Sequence, residues 1–335
     1  MIRTARKQII DIPTRSCHAG TVARLNGATY LAWFGGTRES APDVDIYCTR
    51  TVPGGFGAIH RVSAGDVAHW NPVLLPRTGG LDLLFKAGAT IPAWRTMRVR
   101  LGADGAPLDE PGELVPGDIG GRGPVKNKCL RLKSGRVLAP ASLERKSPDR
   151  WDPFVDISDD GGASFTRLRP IPLCRPGDPL PADDARPWCV VQSAGAIQPT
   201  LWEDAAGVHA LMRSTEGEIL RSDSADGGET WCPAWRTGLP NNNSGIDLVR
   251  LDDGRIFLCL NPVPGNWAAR TPLALYVSLD DGASFRELMK LELLPGEYSY
   301  PGIVAEENTL YLIYTWNRRR MAYWEIELEP RDMME

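Results

Sequence analysis

The segment Ser158-Asp159-Asp160-Gly161-Gly162-Ala163-Ser164-Phe165 has the pattern Ser-x-Asp-x-Gly-x-Ser-Phe, and two further copies follow it along the chain. The second copy spans residues 224–231 and ends in Thr-Trp, and the third spans residues 278–285. In each copy the Asp side chain can accept hydrogen bonds from nearby backbone amides, and the Gly supplies a positive φ. The aromatic ring is expected to pack beneath the turn. The three segments therefore predict one kind of turn that is used three times.

These turns recur at intervals typical of a repeat architecture. Successive copies are 66 and 54 residues apart, and two weaker echoes lie upstream, Gly-Ala-Asp-Gly at 102–105 and Pro-Gly-Gly-Phe at 53–56. Before the first and third copies, an apolar strand (137–140 and 256–260) follows a Gly-containing turn. Units of this size with several short strands are typical of the blades of a β-propeller.

Counting the units predicts an all-β, six-bladed β-propeller that occupies residues 1–335 as a single domain. Five turn positions lie near residues 54, 104, 160, 226 and 280, and a C-terminal hairpin at 311–314 and 323–326 supplies the sixth blade. We expect the strand near Gln8 to Ile12 to close the ring by pairing with the last blade. All-β proteins of this length commonly fold as one unit.

Composition and charge argue against several classes of protein. Of the 335 residues, 42% are hydrophobic, the net charge is −4 and there is no basic stripe, so nucleic acid is not the expected partner. No apolar stretch is long enough for a membrane span. The seven cysteines are scattered without a Cys-x-x-Cys pair, so we expect reduced thiols, no metal site and no cofactor. Because the N-terminal apolar run is only Ile9 and Ile10, the sequence predicts a cytoplasmic protein.

The repeated motif resembles the Asp-box of the sialidase (neuraminidase) superfamily, whose members are six-bladed propellers. The resemblance implies that the Asp-boxes lie on outer loops, away from the catalytic centre. Function must therefore be argued from residues near the mouth of the propeller.

Several residues resemble the catalytic set of that superfamily. The segment 34–46 is similar to the sialidase segment that carries a carboxylate-binding arginine and the acid/base aspartate, which implies these roles for Arg38 and Asp43. Arg213 and Arg270 resemble the second and third arginines, and Tyr298 resembles the nucleophile. Arginine suits a sugar carboxylate because its planar donors bind bidentately. A neutral phenol avoids repulsion by that carboxylate, and an acid protonates the leaving group.

Two positions depart from the sialidase pattern. His18 lies where sialidases carry the first arginine, and Gln198 lies where they carry the glutamate that activates the tyrosine. Losing the glutamate leaves a phenol with an ordinary pKa of about 10 without a base. His18 could instead act as an acid or base in the mouth, since histidine titrates near neutrality.

Further polar residues are expected to face the same mouth and to suit an anionic sugar. They are Asn71, Lys86, Lys126, Lys128 and Asn243, with the segment Asn317-Arg318-Arg319 beside them.

Three functions fit these residues. The leading hypothesis is a sialidase-like exo-glycosidase that hydrolyses a terminal acidic sugar from a glycan, with Asp43 as acid/base and Tyr298 as nucleophile or charge stabiliser. The second is a lyase that cleaves a uronic-acid-linked sugar by β-elimination, a scheme that fits Gln198 better because it needs no glutamate. The third is a non-catalytic glycan-binding propeller. Each implies an acidic glycan as the partner and no obligate protein partner.

Overall fold

The computed structural model describes residues 2–118, 122–146, 148–182 and 186–331. Within these residues the chain forms 24 strands and one 3-10 turn at Ile91–Ala93. The strands are β1 (Ile2–Asp11), β2 (Ser16–Leu25), β3 (Ala28–Gly36), β4 (Asp45–Val52), β5 (Gly55–Phe56), β6 (His60–Arg61), β7 (His69–Arg77), β8 (Gly80–Ala87), β9 (Arg95–Leu101), β10 (Gly112–Glu113), β11 (Leu130–Arg131), β12 (Val137–Arg145), β13 (Arg150–Ser158), β14 (Ala196–Glu203), β15 (Val208–Ser214), β16 (Glu218–Ser224), β17 (Trp235–Pro240), β18 (Asp247–Arg250), β19 (Ile256–Leu260), β20 (Leu273–Ser278), β21 (Arg286–Glu292), β22 (Tyr298–Glu306), β23 (Thr309–Trp316) and β24 (Arg320–Leu328). None of the helical turns in these ranges is long and apolar enough to cross a membrane.

The strands pair antiparallel into six sheets, which are the blades of a β-propeller. From the innermost strand outward, the blades are β2-β3-β4-β5 with β6 also on β4, β7-β8-β9-β10, β11-β12-β13, β14-β15-β16-β17, β18-β19-β20-β21 and β22-β23-β24-β1. The prediction of an all-β, six-bladed propeller is therefore confirmed.

The ring is closed by the N-terminal strand. β1 is the outermost strand of the last blade and pairs with β24, with Gln8 opposite Tyr323 and Asp11 opposite Arg320. The side chain of Ile10 is buried at this closure. The expected pairing of the N-terminal strand with the last blade is confirmed.

The three Asp-box turns follow the third strand of their blades and share one hydrogen-bond pattern. In the first, Asp160 Oδ1 accepts hydrogen bonds from Ser158 Oγ at 2.7 Å and from the backbone amides of Ala163 and Ser164, both at 2.9 Å. Asp226 and Asp280 accept the equivalent bonds in the other two turns. The Ser164 hydroxyl also donates to Asp160 Oδ2. This bond, with the others, holds the pKa of Asp160 well below its usual range.

Each Asp-box turn also packs against the preceding blade. A Cβ on Gly162 would lie 2.7 Å from Leu75 Cδ2, one on Gly228 would lie 2.9 Å from Leu138 Cδ2, and one on Gly282 would lie 2.7 Å from Trp202 Cζ2. All three glycines have φ between 81° and 94°. Glycine is therefore required at these positions for two reasons: the backbone has a positive φ, and the neighbouring blade leaves no room for a Cβ atom. The Asp-box turns therefore form part of the contact between successive blades.

Candidate active site

The innermost strands share one backbone distortion on the same face of the ring. Each blade carries a non-glycine residue with positive φ at or just before its innermost strand: Ala19 (55°), Asn71 (46°), Lys126 (68°), Gln198 (55°), Asn243 (58°) and Tyr300 (54°). In four blades the strand register also shifts at this point. Such a conformation costs about 1–3 kcal/mol for most residues, less for the two asparagines, and it clusters at functional sites. Strain repeated around the ring marks this face as the site.

A cavity of about 210 Å³ opens among these distorted strands. Its walls are His18, Glu39, Trp70, Asn71, Ile91, Trp94, Glu144, Gln198, Arg213, Trp267, Arg270, Tyr300 and Arg318. Six residues that the sequence analysis expected at the mouth therefore line the same cavity, namely His18, Asn71, Gln198, Arg213, Arg270 and Arg318.

Three arginines line the cavity, and each keeps one end of its guanidinium unbonded to the described residues. Arg213 donates only through Nη1, to the carbonyl of Asn243 at 3.0 Å and to Tyr300 Oη at 2.8 Å. Arg270 also donates only through Nη1, and Arg318 donates through Nε and Nη1. Within the described ranges, therefore, Nη2 of all three arginines is without a hydrogen-bond acceptor. Three such donors around one small cavity suit a planar anion.

Two glutamates hold Arg270 and Arg318 in place. Glu297 Oε1 accepts from Arg270 Nη1 and from Arg318 Nε, both at 2.7 Å, so one carboxylate bridges two guanidinium groups. Glu39 pairs with Nη1 of Arg318. These pairs fix the planes of Arg270 and Arg318 beside the cavity and leave Nη2 of each without a partner among the described residues.

Tyr300 is the tyrosine that the structure brings to the arginines. Its hydroxyl oxygen accepts from Arg213, and its ring lies 5.3 Å from the Arg213 guanidinium and 5.6 Å from that of Arg270. The ring packs on Gly245, where a Cβ would approach it to 3.1 Å. Since its oxygen accepts from Arg213, the Tyr300 proton is free to point elsewhere.

His18 lines the cavity beside Tyr300. It is 1% exposed, its ring centroid is 4.2 Å from that of Tyr300, and its Nδ1 shares a hydrogen bond of 2.9 Å with Thr315 Oγ1. Burial lowers the pKa of His18 well below its ordinary value, and the charges of Arg318, Arg270 and Arg213 lower it further. The imidazole is therefore neutral at physiological pH.

Gln198 lines the cavity, and its side-chain oxygen is buried without a hydrogen-bond partner among the described residues. Its side chain is 3% exposed, and Oε1 accepts no hydrogen bond from the described part of the chain. Asn127 Nδ2 holds the backbone at this point by donating to the carbonyls of Gln198 at 2.9 Å and Pro199 at 3.0 Å. A buried acceptor without a hydrogen bond is uncommon, because the loss of its contact with water is not compensated.

Tyr298, Arg38 and Asp43 are not among the residues that line the cavity. Tyr298 is 3% exposed and belongs to the hydrophobic core between the last two blades, with its ring 6.3 Å from Trp316. Arg38 and Asp43 are exposed on the loop between β3 and β4. Asp43 accepts from the hydroxyl and the amide of Thr37, and the hydroxyl bond is the main cause of its lowered pKa.

The lysines expected at the mouth bond to other parts of the protein instead. Lys126 donates to Asn127 Oδ1 at 2.7 Å, to the carbonyl of Ile246 at 2.6 Å and to that of Pro301, so it ties three blades together below Tyr300. Burial lowers the pKa of Lys126 to about 7. The expectation that Lys126 faces the substrate is therefore wrong for this placement, because backbone carbonyls already surround its ammonium.

Lys86 and Lys128 are likewise engaged within the protein. Lys86 is fully buried and donates to Thr96 Oγ1 at 2.6 Å and to the carbonyl of Arg122 at 2.9 Å, and burial lowers its pKa to about 7. Lys128 pairs with Asp247 at 2.9 Å and donates to the carbonyl of Leu248. Neither lysine lines the cavity.

Asn243 acts on the site through its backbone. Its carbonyl accepts from Arg213, and its side-chain Nδ2 donates to Asn266 Oδ1 at 2.8 Å. It therefore positions an arginine and does not line the cavity itself.

Sequence reasoning did not single out Tyr300, Glu39 or Glu144. One signal for Tyr300 was present: Tyr300-Pro301 repeats the residue-proline pair of Asn71-Pro72 and Gln198-Pro199 at the equivalent point of other blades. The pair occurs at three of the six distorted positions, so it is a sequence marker of that point in the blade. Among the described residues, no group of three or more His, Cys, Asp and Glu side chains could hold a metal ion.

Comparison with known proteins identifies the family. The model of the BNR repeat-like domain matches residues 27–313. No curated protein matches the chain significantly. The solved structures similar to it include a protein of unknown function from Dyadobacter fermentans, with a TM-score of 0.73 and 17% identity over 98% of this chain and 100% of that one.

Sialidases are also among the similar structures. A Trypanosoma rangeli sialidase in complex with the inhibitor DANA has a TM-score of 0.72 at 11% identity, and the match covers 100% of this chain but 61% of the sialidase. NanB in complex with Optactamide has a TM-score of 0.69 at 11% identity, covering 96% of this chain and 70% of NanB. At these identities the similarity extends to the fold. The chain belongs to the BNR repeat-like domain family and folds as a sialidase-like, six-bladed β-propeller.

Proposed function

We propose that this protein is an exo-acting glycosidase that hydrolyses a terminal acidic sugar from a glycan. The observation that carries the proposal is the convergence of Arg213, Arg270 and Arg318 on one small cavity, each with an Nη2 that bonds to no described residue. Glycan ligands of sialidases make the same class of substrate reasonable here, since one similar structure is a sialidase in complex with sialic acid.

The size of the cavity supports exo action on one sugar residue. Its volume of about 210 Å³ is below the roughly 300 Å³ at which pockets for drug-sized ligands begin. One monosaccharide with its carboxylate against the arginines would fill it, and the rest of the glycan would extend outward past the exposed side chain of Trp267.

In this proposal Tyr300 stabilises charge and keeps its proton. Hydrolysis through an oxocarbenium-like transition state develops positive charge at the anomeric carbon. The Tyr300 oxygen, fixed by Arg213 at 2.8 Å, is the neutral oxygen available to face that charge. No carboxylate is bonded to Tyr300 within the described residues, and Gln198, which is neutral, lines the cavity instead. Water adds to the anomeric carbon after the glycosidic bond has broken, so the products together equal substrate plus one water.

A second function, β-elimination from a uronic-acid-linked sugar, is favoured by His18. Burial and the nearby arginines keep this imidazole unprotonated, as a base must be, and it lies beside Tyr300 in a cavity rich in cations. His18 would remove the proton beside the carboxylate, and arginine would neutralise the developing enolate. The electron pair would then form the carbon–carbon double bond as the bond from the β-carbon to the leaving oxygen breaks, and that oxygen would take the proton from His18. The products would then equal the substrate alone.

Mass spectrometry of products from a panel of sialosides and uronic-acid-terminated oligosaccharides tests the proposal. Products that sum to substrate plus water support hydrolysis, and products that sum to substrate with a new double bond support elimination. If no substrate is cleaved and a glycan still binds, the protein is a binding module and the catalytic proposal is rejected.

A matched pair of variants tests the arginine site. Arg270→Met removes a charged donor and should raise KM or Kd for an acidic glycan about 10- to 100-fold, the effect of losing one charge-assisted hydrogen bond. Arg95→Met changes an arginine whose side chain is 51% exposed outside the cavity, and it should leave binding unchanged. Equal effects of both variants would reject this cavity as the carboxylate site.

A further inference from the structure

Glu144 is a cavity carboxyl that the comparison of sequence motifs does not single out. It lies near the end of β12 in the third blade, opposite Trp151 on β13, and lines the cavity together with Arg213. Directly opposed residues on antiparallel strands have neighbouring side chains on one face of the sheet. Glu144 is therefore held by a rigid strand pair, whereas Asp43 lies on a loop.

The bonding of Glu144 differs from that of the other carboxylates at the site. Glu39 pairs with Arg318, and Glu297 bridges Arg270 and Arg318, so both serve to fix arginines. Asp43 accepts two hydrogen bonds from Thr37. Glu144, in contrast, makes no hydrogen bond or ion pair with any residue in the described ranges, although it faces the same cavity.

The surroundings of Glu144 favour its protonated form. The cavity wall is aromatic and apolar as well as cationic, with Ile91, Trp94 and Trp267 lining it. Burial raises the pKa of the Glu144 carboxyl, and the charge of Arg213 offsets this only in part. The opposite holds for Asp43, whose hydrogen bond from the Thr37 hydroxyl lowers its pKa. A carboxyl whose pKa is raised by an apolar, aromatic pocket is a known arrangement for a general acid in a glycosidase.

We propose that Glu144 is the proton donor to the leaving group in this cavity. This inference rests on the proposed glycosidase function and assigns the acid within it. As the bond between the anomeric carbon and the glycosidic oxygen breaks, its electron pair stays on that oxygen, which takes the Glu144 proton. The carboxylate that results accepts a proton from the water that adds to the anomeric carbon, so the carboxyl is restored and one water is consumed.

The test compares leaving groups with Glu144→Gln, which keeps the shape and removes the acidic proton. The probes are a methyl glycoside and a 4-nitrophenyl glycoside of the acidic sugar that the product panel identifies. An alkoxide needs protonation to depart and a nitrophenolate does not. We expect kcat for the methyl glycoside to fall about 100-fold or more, within the range of general acid catalysis, and kcat for the nitrophenyl glycoside to fall less than about fivefold. The high-pH limb of the kcat/KM profile should also disappear.

Controls separate this role from a structural one. Glu110→Gln changes an exposed glutamate outside the cavity and should match the wild type with both substrates. Glu144→Asp keeps a titrating carboxyl and should retain the high-pH limb at reduced kcat. Circular dichroism and urea unfolding of each variant show whether the protein is folded.

Three outcomes overturn the inference, and they are distinguishable. Equal losses for both substrates in Glu144→Gln mean that the residue binds or supports the fold and donates no proton. If Asp43→Asn or Glu39→Gln shows the selective loss for the methyl glycoside while Glu144→Gln does not, the acid is on the first blade and the glycosidase proposal stands. If the folded wild type cleaves neither probe nor any glycan of the panel, the proposed function fails and the inference fails with it.

Discussion

Tyr298 and Tyr300 are two residues apart on β22, yet they occupy different environments. Phenylalanine substitutions distinguish their roles. Tyr300→Phe removes the oxygen that accepts from Arg213, and we expect kcat to fall about 100- to 1,000-fold, the usual cost of one preorganised electrostatic group. Tyr298→Phe alters a ring in the hydrophobic core and should retain kcat within a few fold. Steady-state kinetics on the best substrate of the panel provide the measurement, and the reverse pattern would restore Tyr298 as the catalytic tyrosine.

The two tyrosines also explain what the sequence could and could not predict about the site. Side chains two residues apart on a regular strand point to the same face, so the sequence offers no reason to separate them. The positive φ of Tyr300 and the register shift between Ser299 and Gly302 break that rule, and neither is visible in residue types alone. Arg213 and Gln198 were predictable because a motif or a family pattern fixed their positions in the blade.

The lysines show a second physical limit of sequence reasoning. A lysine near a cavity rich in polar groups was expected to face an anionic ligand, but Lys126 is 3% exposed and bonded to carbonyls of two other blades. Which blade lies next to a given side chain depends on closure of the whole ring. The fold was easier to predict, because the Asp-box is repeated and its residues act within the turn itself. The Gly adopts a positive φ and the Asp accepts hydrogen bonds from nearby backbone amides.

Within the fourth blade, His209 joins strands through two carboxylates. Its Nδ1 lies 2.7 Å from Asp223 Oδ1, its Nε2 lies 2.9 Å from Asp204 Oδ1, and its ring stacks on Trp202 at 4.7 Å. Burial alone would lower the pKa of His209, but the bonds to Asp223 and Asp204 outweigh it and raise that pKa above the ordinary value. The folded state therefore binds the His209 proton more tightly than the unfolded chain does.

This difference predicts how the stability of the blade depends on pH. Because the pKa is raised on folding, the contribution of His209 is fully present below the unfolded value of about 6.5. It is lost as the pH rises through the higher folded value. We expect His209→Gln to lower the free energy of unfolding most at pH 5.5 and progressively less toward pH 9, measured by urea denaturation. His60→Gln, at a more exposed histidine, should cost little at either pH. A cost of His209→Gln that is constant with pH would contradict the assignment.

The cavity exists only when the ring of blades is closed, because all six blades contribute residues to its walls. His18 lies on the first blade while Arg318 follows the second strand of the last, and the backbone amide of Cys17 donates to the carbonyl of Arg318 at 2.9 Å. The seam between the first and last blades therefore passes directly beside the site. β1 completes the last blade at this seam, and Ile10 of β1 belongs to the hydrophobic cluster that includes Leu31 and Trp33 of the first blade.

Neighbouring isoleucines on β1 test how far the ring depends on this seam. Ile10 is 2% exposed and Ile9 is 40% exposed, so the same substitution removes a core contact at one position and a surface side chain at the other. We expect Ile10→Ala to lower the free energy of unfolding by about 2–4 kcal/mol, as for other buried isoleucines, and Ile9→Ala by less than about 1 kcal/mol. Urea unfolding followed by tryptophan fluorescence and far-UV circular dichroism gives both values. If closure by β1 maintains the ring as one cooperative unit, both probes should report the same lowered midpoint for Ile10→Ala. A last blade that unfolds separately at lower urea, with the other blades unchanged, would mean that the seam supports only its own blade.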